Sequence, residues 1–272
     1  MARKTLLIGI DGLLLNRGLA SGKAPFLKIL KENSFYTDIR IDSVTISGPS
    51  WSTILTGATN SQHLVFDNDF IGHQLHLYPD VLTQASLVNP QLRTFAAAGW
   101  LPLVDPASPA PIIRERKLDQ ENGKHLTFFK DGDFLGYETV DAEVAEFAEH
   151  HISMEGPDLS FVYFSQVDEI GHKYGAIDVP YFDALGRVDK LVENLLNVID
   201  ARSKKFDEEW LFVVTTDHGH RDEGGHGGES DQERSSFLIA FGVGRENPQW
   251  NIPIAQHEIS KYILESVNSL TS

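Results

Sequence analysis

Six residues scattered along the chain are of the types that hold a divalent cation: Asp11, Asp168, His172, Asp217, His218 and His226. Asp168 and His172 stand four apart in Asp-Glu-Ile-Gly-His. On a helix that is one turn, so a carboxylate and an imidazole can reach the same point. Asp217 and His218 are adjacent, and His226 lies between two glycine pairs that let the backbone turn freely. Crowded carboxylates raise each other's pKa, and a bound cation is the simple remedy. Mixed carboxylate and imidazole donors suit Zn2+, with Mn2+ also accommodated. One such histidine alone would read as a packed or exposed ring; the recurrence of acid and imidazole makes the set a site.

A hydroxyl nucleophile is available in Thr-Ile-Ser47-Gly-Pro-Ser50-Trp51, followed by Leu-Thr-Gly57. Pro49 fits the first turn of a short helix that Gly57 would close, which puts Ser47 near the helix N-terminus. Free amide hydrogens there favour a phosphoryl oxygen. From that window alone Ser47 reads as a helix cap. Beside a metal centre it reads as the catalytic nucleophile, because a serine hydroxyl needs a base or a metal to lose its proton. Ser50 and Trp51 are candidates for substrate contact, Trp51 as an apolar wall for an aryl group or nucleobase, or else a core residue. Asn68, in Asp-Asn, offers a substrate hydrogen bond or simply a turn.

Positioning such residues takes a sheet. Three short apolar runs, Thr5 to Ile10, Leu159 to Phe164 and Trp210 to Thr215, lack clean alternation, as strands covered on both faces do. Asp11 follows the first, Asp168 the second, Asp217 and His218 the third. Apolar stripes at helical spacing run from Val140 to His151 and from Leu185 to Ile199, and Pro25 to Lys31 and Gln256 to Val267 read as further helices. Strands alternating with helices predict an α/β fold with a mostly parallel central sheet. In such sheets the C-terminal strand ends share one edge, where ligands bind. The proline-rich stretch 72–137 is expected as a loop-rich excursion within one catalytic domain spanning 1–272, with a small cap as one form it could take, and as the source of pocket walls.

The 272 residues include 39 acidic and 23 basic ones, a formal charge of −16, which argues against a nucleic-acid or anionic-membrane surface. Absence of cysteine excludes disulfides, zinc ribbons, iron–sulfur clusters and thiol nucleophiles. No apolar run approaches the ~20 residues of a membrane span, and the N-terminus lacks a signal-peptide pattern. The expectation is a cytoplasmic protein acting on a small molecule.

Asp11-Gly12, Ser47-Gly-Pro-Ser-Trp with Leu-Thr-Gly57, Asp168-x-x-Gly171-His172, Asp217-His218-Gly219 and His226 together resemble the alkaline phosphatase superfamily. Their order is most similar to its nucleotide pyrophosphatase/phosphodiesterase branch, over about Leu6 to Gly228. The resemblance implies a three-layer sandwich with helices on both faces of the sheet, and a two-metal site at one sheet edge. It assigns Asp168, His172 and His226 to one ion, and Asp11, Asp217 and His218 to the other, with Ser47 bridging toward the second as the attacking residue. The implied reaction is hydrolysis of a phosphodiester or phosphoanhydride through a phosphoseryl intermediate, on a small phosphoester, with nucleotides among the candidates. Relatives often carry threonine at the nucleophile, a chemically equivalent hydroxyl. Where they often have His-Gly, this chain has His63-Leu64.

Several residues are expected to take no direct part in the chemistry: His220 and Arg221 beside the metal motif, either supporting the ligands from behind or exposed, Asp131-Gly132-Asp133 as a turn, and Asp207 to Glu209 as a solvated lead-in to a strand. A phosphomonoesterase is the nearest rival. A sulfatase would need arginine where Trp51 stands, and a metal-dependent phosphoglycerate mutase would need a long inserted domain. The reading from another class is a protein that binds metal and phosphate without catalysis.

Overall fold

The computed structural model describes residues 2–268. Seven strands form one sheet: β1 (Ala2–Ile10), β2 (Phe35–Arg40), β3 (Thr94–Ala98), β4 (His125–Phe129), β5 (Leu159–Phe164), β6 (Glu208–Thr215) and β7 (Ser235–Val243). Their order is β2-β7-β6-β1-β5-β3-β4. β7 pairs antiparallel with both β6 and β2; every other pairing is parallel.

Alternation of side chains along each strand divides the apolar residues between two cores. From β1, Leu6, Ile8 and Ile10 pack against the helices Pro25–Glu32, Tyr137–Glu155 and Val179–Phe206. Leu7, on the opposite face, packs with the helices Ser47–Thr56, Val81–Val88 and Ile259–Asn268. β5 and β6 divide in the same way, with Val162 and Phe212 on the first face and Phe161 and Leu211 on the second. Both faces are therefore dry, and each central strand reads as a continuous apolar run. The three-layer arrangement expected from the sequence is present. Among the described residues no helix is long and apolar enough to cross a membrane.

Two expectations need correction. The stretch 72–137 is no cap beside the sheet: it supplies β3, β4 and the Val81–Val88 helix to the main body. Its prolines fall in the connections and not in these elements, and the Thr-Phe-Ala-Ala-Ala strand is too short and small-sided to show periodicity. Glu208 is no solvated lead-in. It is buried and forms a bidentate ion pair with Arg202, both bonds at 2.9 Å, while the Trp210 indole donates to it at 3.0 Å.

Candidate functional site

The C-terminal ends of β1, β5 and β6, neighbours in the sheet, deliver the acids. Asp11 directly follows β1, and its backbone N–H donates to Phe164 O at the end of β5 at 2.9 Å. Asp217 follows β6, and its Oδ1 accepts the Gly12 N–H at 3.2 Å, while Thr216 Oγ1 accepts the Leu13 N–H at 3.0 Å. Asp168 and His172 lie on the helix Gln166–Tyr174, which starts right after β5. Asp141, from the neighbouring long helix, accepts the free Ser165 and Gln166 amides at 2.8 to 3.2 Å and so pins that helix start. Burial pushes the Asp141 carboxyl up to about 8, against the pull of those amides.

The side chains meet as two donor sets. In the first, Asp168 Oδ2 stands 3.4 Å from His172 Nε2, and Asp168 Oδ1 3.5 Å from His226 Nε2. The two imidazole Nε2 atoms are 2.9 Å apart. In the second, His218 Nε2 lies 3.6 Å from Asp11 Oδ1, 3.1 Å from Asp217 Oδ2 and 3.2 Å from Ser47 Oγ. Ser47 Oγ is 3.4 Å from Asp11 Oδ1. Asp11, Asp168 and His218 each present a donor within 4.8 Å of the others, so Asp168 faces both sets.

The donor sets fit divalent ions. Tetrahedral ligands at about 2.0–2.1 Å from zinc are separated from each other by about 3.3 Å, and the separations above run from 2.9 to 3.6 Å. His226 Nδ1 is bonded to Thr45 O at 2.8 Å and His218 Nδ1 to Gly219 O at 3.2 Å, which turns both Nε2 lone pairs inward. Asp217 Oδ2 is buried with no hydrogen-bond partner.

Charge crowding has the expected consequence. Burial, then the nearby Asp168 charge, pushes the Asp11 carboxyl up to about 7. Asp217 is raised well above the carboxylate range by burial and by its acidic neighbours. Burial opposes ionisation of Asp168 too, but hydrogen bonds with His172 and His220 win and hold it well below that range. Burial keeps His218 and His226 neutral, the state in which an imidazole coordinates.

Ser47 opens its helix as expected, and Gly57 closes it at φ +75°. One of the amides at this helix N-terminus, that of Gly48, donates to Asn68 Oδ1 at 2.7 Å. A Cβ on residue 48 would sit 2.8 Å from that oxygen, so glycine lets the Asn68 loop close in. Asn68 therefore stands at the site, lining a cavity of about 330 Å³ with Asp11, Ser47, Asp168, His172 and His226. Trp100, Asp133, Tyr137 and Glu169 form further wall.

Ser50 and Trp51 do not reach the cavity. Ser50 is buried and donates to Val44 O at 3.1 Å. Trp51 is core: its ring packs on Phe161 and Tyr163, and its Nε1–H donates to Asp11 Oδ2 at 2.9 Å. A large ring following a nucleophile is drawn into the core here because Gly9 leaves room, a Cβ there lying 2.4 Å from the indole. Sequence reasoning missed Tyr163, whose hydroxyl donates to the same Asp11 oxygen at 2.5 Å. Of the two expectations for His220, support behind the ligands or exposure, the structure shows the first: it is fully buried with Nε2 2.6 Å from Asp168 Oδ1. The available signal was the second histidine of the Asp-His-Gly-His run.

The family model described as type I phosphodiesterase / nucleotide pyrophosphatase matches residues 5–227. The chain belongs to that family. GPI ethanolamine phosphate transferase 3 of Schizosaccharomyces pombe is 28% identical over 210 residues, 77% of this chain and 20% of that protein. The chain spans 10–20% of the length of the curated relatives it matches. Solved structures of similar fold include the phosphonoacetate hydrolase of Sinorhizobium meliloti with phosphonoformate, at TM-score 0.64 and 12% identity over 97% of this chain and 96% of that one. Murine ectonucleotide pyrophosphatase/phosphodiesterase 5, in an inactive form with AMP, aligns at TM-score 0.56 and 14% identity over 80% and 57%. These structural neighbours belong to the alkaline phosphatase superfamily.

Proposed function

We propose that this chain hydrolyses phosphodiester or phosphoanhydride bonds at a two-ion site, through a phosphoseryl intermediate on Ser47. One observation carries the reading: Ser47 Oγ stands 3.2 Å from His218 Nε2 and 3.4 Å from Asp11 Oδ1, within a donor set, on the wall of a cavity. Asp168, His172 and His226 would hold one divalent ion; Asp11, Asp217 and His218, with Ser47, would hold the other, Zn2+ before Mn2+. Such ions, when bound, favour the serine alkoxide and neutralise charge on the phosphoryl oxygens and leaving oxygen. Two divalent cations against three carboxylates and one alkoxide leave about zero formal charge, which admits an anionic phosphate to an acidic protein.

In the first step Ser47, having lost its proton, forms a bond from Oγ to phosphorus as the ester oxygen departs. In the second, water attacks phosphorus from the opposite face and the Ser47 hydroxyl is restored. Asn68 binds the Gly48 amide through Oδ1, which leaves its Nδ2 as donor to a phosphoryl oxygen. Among the described residues lining the cavity none is Lys or Arg. A monoester, with its extra negative charge, would gain from one, so diesters are favoured.

A second reading, transfer of the phosphoryl group to an alcohol, is supported by the relatives named ethanolamine phosphate transferases. It differs only in what attacks the phosphoseryl group. The wall formed by Trp100, Tyr137, Asp133 and Glu169 would suit an ammonium group on the substrate, by carboxylate charge and aromatic faces.

The test follows p-nitrophenol release by Zn2+-loaded protein from bis(p-nitrophenyl) phosphate, p-nitrophenyl phosphate and p-nitrophenyl phosphorylcholine. The expected result is diester cleavage in water alone, lost by at least about a thousandfold in Ser47→Ala. Release that requires an added alcohol would move the reading to transfer. Preference for p-nitrophenyl phosphate would make the chain a monoesterase. Metal binding with no cleavage of any ester would leave a binding protein.

A further inference from the structure

His220 offers a ring nitrogen within 4.8 Å of the donors of Asp168, His172 and His226, but it sits closest to the Asp168 carboxylate. Its side chain is fully buried, and its Nε2 meets Asp168 Oδ1 at 2.6 Å. That is a hydrogen-bond distance, well short of the about 3.3 Å between two ligands of one tetrahedral ion. The contact His220 makes is that of a hydrogen bond from its imidazole to the carboxylate. Two glycines on separate elements make its berth. A Cβ at Gly12, just past β1, would lie 2.8 Å from the His220 ring, and one at Gly171 would lie 2.9 Å from its Nε2. Gly171 thus owes its place in the Asp-x-x-Gly-His motif to the imidazole opposite. The other ring nitrogen, Nδ1, is buried without a partner. Burying an unpaired nitrogen costs about 1–3 kcal/mol, which the bond to Asp168 has to offset.

We propose that His220 is a positioning residue: its Nε2–H clamps Asp168 Oδ1, so that this single carboxylate keeps one fixed orientation toward both donor sets. Asp168 is the acid shared between them, and a freely rotating carboxylate could not serve both at once. Trp51 and Tyr163 treat Asp11 alike, holding Oδ2 and leaving Oδ1 to face Ser47 and His218.

The proposal rests on the two-ion reading, and the experiment separates the two. Metal per chain is measured by elemental analysis, and affinity by competition with a chromophoric chelator, for the full chain and for His220→Leu, His220→Gln and His220→Asn. The Co2+-loaded forms are compared by visible absorption. Leu removes the donor; the amide of Gln reaches about where Nε2 lies; Asn is one carbon short. Expected is a loss of about tenfold or more in affinity for one ion in the Leu and Asn variants, with shifted Co2+ bands and recovery of most of the affinity in Gln. A folded Leu variant that binds both ions like the parent overturns the proposal, as does equal weakening in all three, which would mean packing or direct ligation by His220. If Leu fails to fold, the Gln–Asn comparison decides. A parent chain that binds no ion overturns the two-ion reading and this proposal with it.

Discussion

Trp51 and Tyr163 reach the same oxygen of Asp11, and the consequence at the residue scale is a division of labour within one carboxylate. Oδ2 is satisfied by the protein, while Oδ1 is aimed at Ser47 and His218. Trp51→Phe keeps an aromatic filler but deletes the indole donor and part of the ring volume. A stability loss of about 1–3 kcal/mol is expected, read as a shift in the midpoint of chemical denaturation. Hydrolysis should fall about tenfold in kcat through looser placement of Asp11, with KM for aryl diesters nearly unchanged. A rise in KM at constant kcat would instead restore Trp51 as a wall against the substrate.

At the scale of elements, the departure at His63-Leu64 acquires a physical meaning. Leu64 ends the short helix Asn60–His63 with φ +53°, a left-handed conformation that suits glycine and strains leucine. His63 itself is buried, 3.0 Å from Thr53 Oγ1, and its Nδ1 accepts the Val65 amide at 3.0 Å. Leu64→Gly should therefore raise the melting temperature, by the equivalent of about 0.5–1 kcal/mol. An unchanged or lower melting temperature would mean that packing of the half-buried leucine outweighs the strain. The three central strands and the acids after them are legible in the sequence because burial on both faces writes them as apolar runs that end in polar residues. β3 and β4 are not, being five residues each and short on β-branched side chains. β2 and β7 complete one edge through antiparallel pairing that local periodicity does not announce. Of the proposed ligands, His172 could be read from its four-residue step to Asp168 and His218 from its place beside Asp217. The partner of His220 could not, because Asp168 lies 52 positions away and contact over that distance is a property of the fold.

The whole molecule carries sixteen net negative charges and gathers three of its carboxylates at one sheet edge, so the metal-free fold works against its own electrostatics. Asp11 shows the sign. Its folded pKa is pushed up to about 7, from an ordinary carboxyl value of 3.8, so below 3.8 it costs nothing. As pH rises from there toward 7, the unfolded chain releases a proton that the folded chain must keep, and stability is lost. Asp217, raised well above its ordinary value by burial and by Asp11 and Asp168, acts in the same direction. Bound cations remove this penalty, and proton competition for the donors weakens as pH rises. The melting-temperature gap between Zn2+-loaded and chelated protein should therefore widen steadily from pH 5 to pH 8. Each pH unit over which one extra proton is held corresponds to about 1.4 kcal/mol. Measuring the gap cancels groups that titrate alike in both forms, among them His63, which burial drops to about 4 and which acts in the opposite direction. Asp11→Asn should flatten the pH dependence of the chelated protein. A gap that stays constant, or narrows toward pH 8, would mean that the clustered acids are not what the cations relieve.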